Sequence, residues 1–267
     1  MAKKTIIVGI GTEGYLVSEL VARRLATKYG DISKAPWVRF LIVDTENPNT
    51  KPLGKKKVTS HIGISQDDFL RIRNYPHEFD GSIDLTTWAG TCTQFGDAAP
   101  TKGAANIRPL GRLCFLFPTN FVEFCTNIQL ATHDLINLTE AKVKQDCGVE
   151  VEFSQEFGQD RIQVFVIATT TGGTGSGSFI DVGETLRNMD ILKGRSEVHG
   201  LISIPAKGHA NSIHNANAFM ALKELSHFHY PTERYHAKLP SPSHFPGGVL
   251  DLRSSPPFDH TIILQPM

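Results

Sequence analysis

The chain has 267 residues, enough for one large α/β domain with a buried core or for two small ones. Hydrophobic residues make up 40% and charged residues 20%, which excludes wholesale disorder and a fibrous repeat. Lysine plus arginine equals aspartate plus glutamate at 27 each, so no net field draws polyanions and no nucleic-acid partner is expected.

At the N-terminus Lys3 and Lys4 precede an apolar stretch that runs only from Thr5 to Ile10, too short for an export signal or a membrane span. Cys92, Cys114, Cys125 and Cys147 form no CxxC pair and read as reduced thiols of a cytoplasmic protein.

Residues 5 to 9 (TIIVG) read as a first strand, apolar throughout as in a sheet covered on both faces. Gly9, Gly11 and Gly14, with Thr12 and Glu13 between them, form GxGxxG directly after that strand and ahead of an amphipathic helix over 12–29. Glycine lets the backbone pass close to a phosphate, and the following helix presents unpaired N–H groups and the positive end of its dipole. A tight strand-to-helix turn without a ligand is the plainer alternative.

A second strand over 37–43 ends at Asp44. This acid fits the ribose contact of a dinucleotide enzyme, although it lies 30 residues beyond Gly14 where about 20 is usual. With Thr45 and Glu46 it also fits a magnesium ion held by phosphates, and it fits a turn cap. Residues 44–107 are dense in turn formers, and Lys55 to Lys57 read as a solvated loop.

Helical spacing then covers 110–146, broken near Pro118, with Arg108 and Arg112 at its start either reaching for phosphate or standing as surface cations. After a strand over 162–169 comes Thr169 to Gly177 (TTTGGTGSG), ahead of a helix expected over 178–190. Gly172, Gly173, Gly175 and Gly177 alternate with Thr174 and Ser176, so backbone amides and hydroxyls converge on one polyphosphate. No lysine follows the last glycine, so this is not a Walker A loop, and a flexible linker is poorly placed between a core strand and a helix.

A strand over 198–204, a helix over 212–228, a proline-rich irregular stretch over 230–258 and a strand over 260–265 complete the chain. Alternating strands and helices imply a doubly wound, mostly parallel α/β sheet whose ligands bind at the carboxyl ends of the strands. The chain stops two residues after an apparent core strand, so a piece of a longer protein is expected. Seven of eleven histidines follow residue 208, but their spacing matches no ligand pattern, and no metal-binding cluster is expected from them.

The GGTGSG of 172–177 resembles the signature loop of the tubulin/FtsZ superfamily, and the rest of the chain falls into that order. Gly9 to Gly14 resemble the first nucleotide loop and Asp44 to Asn47 the second. Gly103, Ala104, Ala105 and Asn106 resemble the third, and 205–215 (PAKGHANSIHN) takes the place of the fifth. Asn217 to Leu225 is similar to a helix of the bacterial tubulin-like domain proteins, which adds Asn217 to the nucleotide contacts that the resemblance implies.

The resemblance implies one Rossmann-like nucleotide-binding domain over 1–267, with irregular insertions near 48–100 and 230–258 and the family's C-terminal domain absent. It implies GTP or GDP with Mg²⁺ as ligands and head-to-tail self-association into filaments. Hydrolysis in that superfamily is shared between subunits, and the acidic catalytic loop would follow residue 267. Residues 205–215 lack the Glu and Arg that FtsZ proteins use around the ribose, with Ala210 and His214 standing there instead. A scaffold without turnover is the second reading, and an NAD-dependent oxidoreductase, resting on GxGxxG and Asp44, is the third.

Overall fold

The structure is a computed structural model that describes residues 1–45, 60–61, 103–104, 106–154, 161–208, 211–230, 233–238, 249–253 and 256–265. Glu46, Asn47, Lys55 to Lys57, Ala105 and Ala210 lie outside the described residues, as does most of the 48–100 stretch.

Eight strands are described: β1 (Thr5–Ile10), β2 (Val38–Asp44), β3 (Ser60–His61), β4 (Ile162–Thr169), β5 (Ser196–Ser203), β6 (Arg234–Lys238), β7 (Val249–Arg253) and β8 (His260–Leu264). The described α-helices are α1 (Gly11–Tyr29), α2 (Arg108–Leu116), α3 (Pro118–Ile136), α4 (Glu140–Cys147), α5 (Gly173–Asn188) and α6 (Ser212–His229). Six strands form one sheet in the order β3-β2-β1-β4-β5-β8, and every neighbouring pair is parallel. The expected doubly wound α/β architecture is therefore present. Strand order reverses between β1 and β4, the kind of position where an open α/β sheet leaves a crevice.

Residues of the central strands alternate between two layers. Ile7, Phe40, Ile42 and Ile167 pack with Tyr15 and Ala22 of α1. Their neighbours Ile6, Val8, Ile10, Leu41, Val43, Val164 and Val166 point the other way, into a larger core with α2, α3 and α5. Both faces are covered, so the strand sequences show no polar alternation. In the larger core Phe115 meets Phe121 and Phe124 edge to face at 5.8 and 5.1 Å, each ring contributing roughly 1.5–3 kcal/mol by its burial.

Local chemistry sets several helix ends. Pro118 starts α3 at a position whose N–H has no intrahelical partner. Thr139 and Asn211 cap α4 and α6 by accepting the backbone N–H of Lys142 and His214 at 3.2 and 2.8 Å. Within the 230–258 stretch, β6 and β7 pair antiparallel as a separate hairpin, Tyr235 opposite Leu252, where the sequence promised only irregular chain. The proline-rich composition hides it.

Candidate functional site

At the carboxyl ends of β1, β2 and β4 lies a cavity of about 330 Å³. It is lined by Gly11, Thr12, Glu13, Asp44, Thr45, Gly103, Ala104, Asn106, Thr169, Thr171, Gly172, Gly173, Thr174 and Gly175. Two helices start on it. Helix α1 begins at Gly11 after Ile10, and α5 begins at Gly173 after Gly172; neither preceding residue offers a side-chain cap. The unpaired N–H groups of both first turns, and the positive ends of both helix dipoles, therefore converge on one space.

The glycines divide into two kinds. Gly11, at φ +67°, turns the chain from strand to helix within one residue and faces the cavity. Gly9 and Gly14 do not line it. A Cβ on Gly9 would stand 2.4 Å from the Gly14 carbonyl oxygen, and one on Gly14 would stand 2.6 Å from that of Ile167, so these two let α1 seat against the sheet. In the second loop Gly172 has open space around it, whereas a Cβ on Gly173, Gly175 or Gly177 would meet backbone at 2.7, 2.7 and 2.1 Å.

Helix α5 thus begins five residues earlier than the expected 178, and the glycine run itself is its first turn. Ser176 and Gly177, which the sequence groups with the phosphate contacts, do not line the cavity. The Ser176 hydroxyl donates to the Gly172 carbonyl, and Gly177 lies against the Arg108 carbonyl of α2.

The cavity floor is tied together by hydroxyls. Thr45 accepts the Ala104 N–H at 2.9 Å, and its Oγ1 lies 2.7 Å from that of Thr174, so β2, the 103–107 segment and α5 meet at one point. Across the rim Asn217 donates to the carbonyls of Asn106 and Thr171, both at 2.9 Å, without itself lining the cavity.

Among the described residues the only ionisable side chains of the lining are Glu13, which is exposed, and Asp44, which is buried. Arg108 and Arg112 are committed elsewhere, against the expectation that they reach for phosphate or stand as surface cations. Arg108 donates to both Glu224 carboxylate oxygens at 3.1 and 2.5 Å and to the Ser176 carbonyl. Arg112 Nε donates to Asp181 at 2.9 Å, and the Tyr235 hydroxyl donates to the same oxygen. Burial pushes the Asp181 carboxyl upward against the pull of Arg112.

Two features escaped sequence reasoning. Thr169 and Thr171 line the cavity, and their signal was the threonine run itself, which adjoins the glycines. Glu184 of α5 is fully buried, its carboxyl oxygens have no hydrogen-bond partner among the described residues, and burial pushes its carboxyl up to about 8. Burial likewise pushes the Cys114 and Cys125 thiols up to about 12, far from a reactive thiolate. Among the described residues no group of three or more His, Cys, Asp or Glu is placed to hold a metal, and no helix is long and apolar enough to cross a membrane.

The family model described as "Tubulin like" matches residues 6–267. Among solved structures the chain is similar to CetZ2 from Haloferax volcanii, a GTPgS bound protofilament, at 16% identity and a TM-score of 0.46, covering 82% of this chain and 45% of that one. It is similar to CetZ from Methanosaeta thermophila strain DSM 6194 at 14% identity and 0.49, covering 84% and 42%. Clostridium botulinum phage c-st TubZ matches at 14% identity and 0.39, covering 84% and 47%. The chain spans less than half the length of these proteins, and at such scores they carry no inference about ligand or assembly. No curated protein matches it.

Proposed function

The chain belongs to the tubulin-like family, and on that premise we propose that its cavity binds a guanine nucleotide, GTP or GDP, with Mg²⁺. One observation carries the proposal: two uncapped helix N-termini, at Gly11 and Gly173, open onto a single cavity at the switch point of a parallel sheet. The choice of guanine rests on the family alone.

Backbone amides of Gly11 to Glu13 and Gly173 to Gly175 hold the phosphates, and Gly172 leaves room for them. Among the described residues the lining contains two carboxylates and neither lysine nor arginine, which favours a polyphosphate that arrives with a cation. Asp44 and Glu13 fit Mg²⁺, which takes one or two protein carboxylates and keeps phosphate and water for the rest of its sphere. The bound ion supplies charge neutralisation on the phosphates. Head-to-tail self-association, with hydrolysis completed by the neighbouring subunit, belongs to the same proposal and is supported by family membership.

Equilibrium binding of fluorescent GTP with Mg²⁺, competed by unlabelled GTP, ATP and NAD, tests the reading. Gly172→Trp is the informative variant because Gly172 lines the cavity and, among the described residues, nothing lies within 4 Å of the Cβ it adds, so bulk is introduced at the site without a backbone clash. The expected result is competition by GTP, with affinity lowered about 100-fold or more in the variant. Competition by NAD alone sinks the proposal.

A further inference from the structure

We propose that Asn217 is a positioning residue of the cavity, one amide that fixes the separation between the 103–106 and 169–172 loops; its role toward a ligand rests on the nucleotide reading above. A side-chain amide carries two hydrogens, and here both are spent, one on the Asn106 carbonyl and one on the Thr171 carbonyl, each at 2.9 Å. Both acceptors belong to residues that line the cavity, on segments far apart in the chain. Asn217 stands behind them in α6 and does not line the cavity itself.

The backbone around these bonds makes the constraint specific. Asn106 is at φ +63°, the one positive-φ residue other than glycine among the described residues, and such a conformation persists only when its surroundings hold it. Its carbonyl is the atom that Asn217 takes. At the inner end of the same segment Ala104 donates to Thr45, and Ile107 approaches Gly173 so closely that a Cβ there would stand 2.7 Å from the Ile107 nitrogen. Ala104, Asn106 and Ile107 are therefore each held by a partner remote in sequence.

Helix α6 reinforces the strap two turns further on. Its Glu224 pairs with Arg108 of α2, and Arg108 also holds the Ser176 carbonyl in the first turns of α5. Both loops and the helices that follow them are thus referenced to α6.

Asn217→Asp keeps the shape, removes both donors and sets an anion against two carbonyl oxygens. In the unliganded protein, amide hydrogen exchange over 103–107 and 170–174 is expected to accelerate about 10-fold or more, with the remaining sheet unchanged. Inorganic tripolyphosphate and GTP, each with Mg²⁺, are expected to lose affinity by the same factor of about 10, leaving the GTP-to-ATP preference as in the wild type. Should Asn217→Asp fail to fold, Asn217→Ala, which removes the donors without adding charge, decides by the same readouts.

Unchanged exchange in both segments overturns the proposal. So does an altered GTP-to-ATP preference with tripolyphosphate affinity intact, since that marks Asn217 as a direct nucleoside contact. If the wild type binds neither probe while exchange responds to the substitution, the latch stands and the nucleotide reading falls.

Discussion

Helix α1 meets the sheet along one stripe, with Tyr15, Ser18 and Ala22 buried and Leu16, Val17 and Leu20 facing out, whereas α5 is buried on nearly every side from Gly173 to Leu186. Both present their first turns to the same cavity. The difference lies in what fixes those turns. Two glycines seat α1 against β1 and β4, and the rest of the helix is an ordinary amphipathic element. By contrast, α5 is wedged between the sheet, α2, α6 and the Tyr235 hairpin. Its hydroxyls at Ser178 and Thr185 are satisfied inside the helix by the carbonyls of Thr174 and Asp181.

The largest break in this comparison is expected at Gly177. A Cβ there would lie 2.1 Å from the Arg108 carbonyl oxygen, and Gly111 of α2 reciprocates at 2.2 Å from the Gly173 carbonyl. Neither contact is with a flexible side chain, so relief means moving a whole helix. Gly177→Val is expected to cost about 4 kcal/mol or more in urea denaturation, enough to unfold a domain of ordinary stability at modest denaturant. A variant within about 1 kcal/mol of wild type would show that the α2–α5 seam is not built on backbone contact.

That seam also marks where the sequence stops being legible. The central strands β1, β2 and β4 could be read because residues covered on both faces form unbroken apolar runs, and α1 because only one of its faces is covered; β3, two residues long, left no such run, and β8, also read as a core strand, lies exposed at the sheet edge. Both glycine motifs placed a loop at the end of the right strand. Which glycines face the cavity and which permit packing was not readable, since that depends on Ile167, Arg108 and Ile107, which the fold brings in from elsewhere. The sequence places the start of α5 late for a related reason. A run such as GGTGSG has poor intrinsic helix propensity, and packing against α2 overrides it. Neither role open to Arg108 and Arg112 in the sequence is the one they take, because Glu224, Asp181 and Tyr235, remote in sequence, become their partners only in the folded chain.

Glu184 sharpens the comparison through pH. It sits in α5 one turn beyond Asp181, with neither carboxyl oxygen partnered among the described residues, and burial raises it from 4.5 to about 8 against the opposing pull of Arg187. A carboxyl raised on folding holds its proton more tightly in the folded state. Its contribution to stability is therefore complete below about pH 4.5 and is lost as pH rises toward about 8. Between pH 4.5 and pH 7 the wild type should lose roughly 3 kcal/mol through this group, and Glu184→Gln should lack that slope. Urea denaturation at intervals across that window measures it directly, and parallel curves for the two proteins would show that Glu184 is not held as a buried acid.

On α1 the smallest effect is expected, and it tests the other side of the comparison. Leu20 is 53% exposed and flanked on the same outer surface by Leu16 and Val17. Leu20→Lys should move stability by no more than about 0.5 kcal/mol, because a surface change away from caps and core contacts alters little. It should also leave GTP affinity within about twofold of wild type, since the first-turn amides at Gly11 to Glu13 depend on the seating of Gly9 and Gly14 and not on the outer face. A loss above about 1 kcal/mol would mean that this face is covered in the folded chain, and the contrast between a one-sided and an enclosed helix would no longer hold. With stability unchanged, the outer face of α1 can vary without disturbing the cradle, a freedom that the backbone contacts of α5 deny to the second loop.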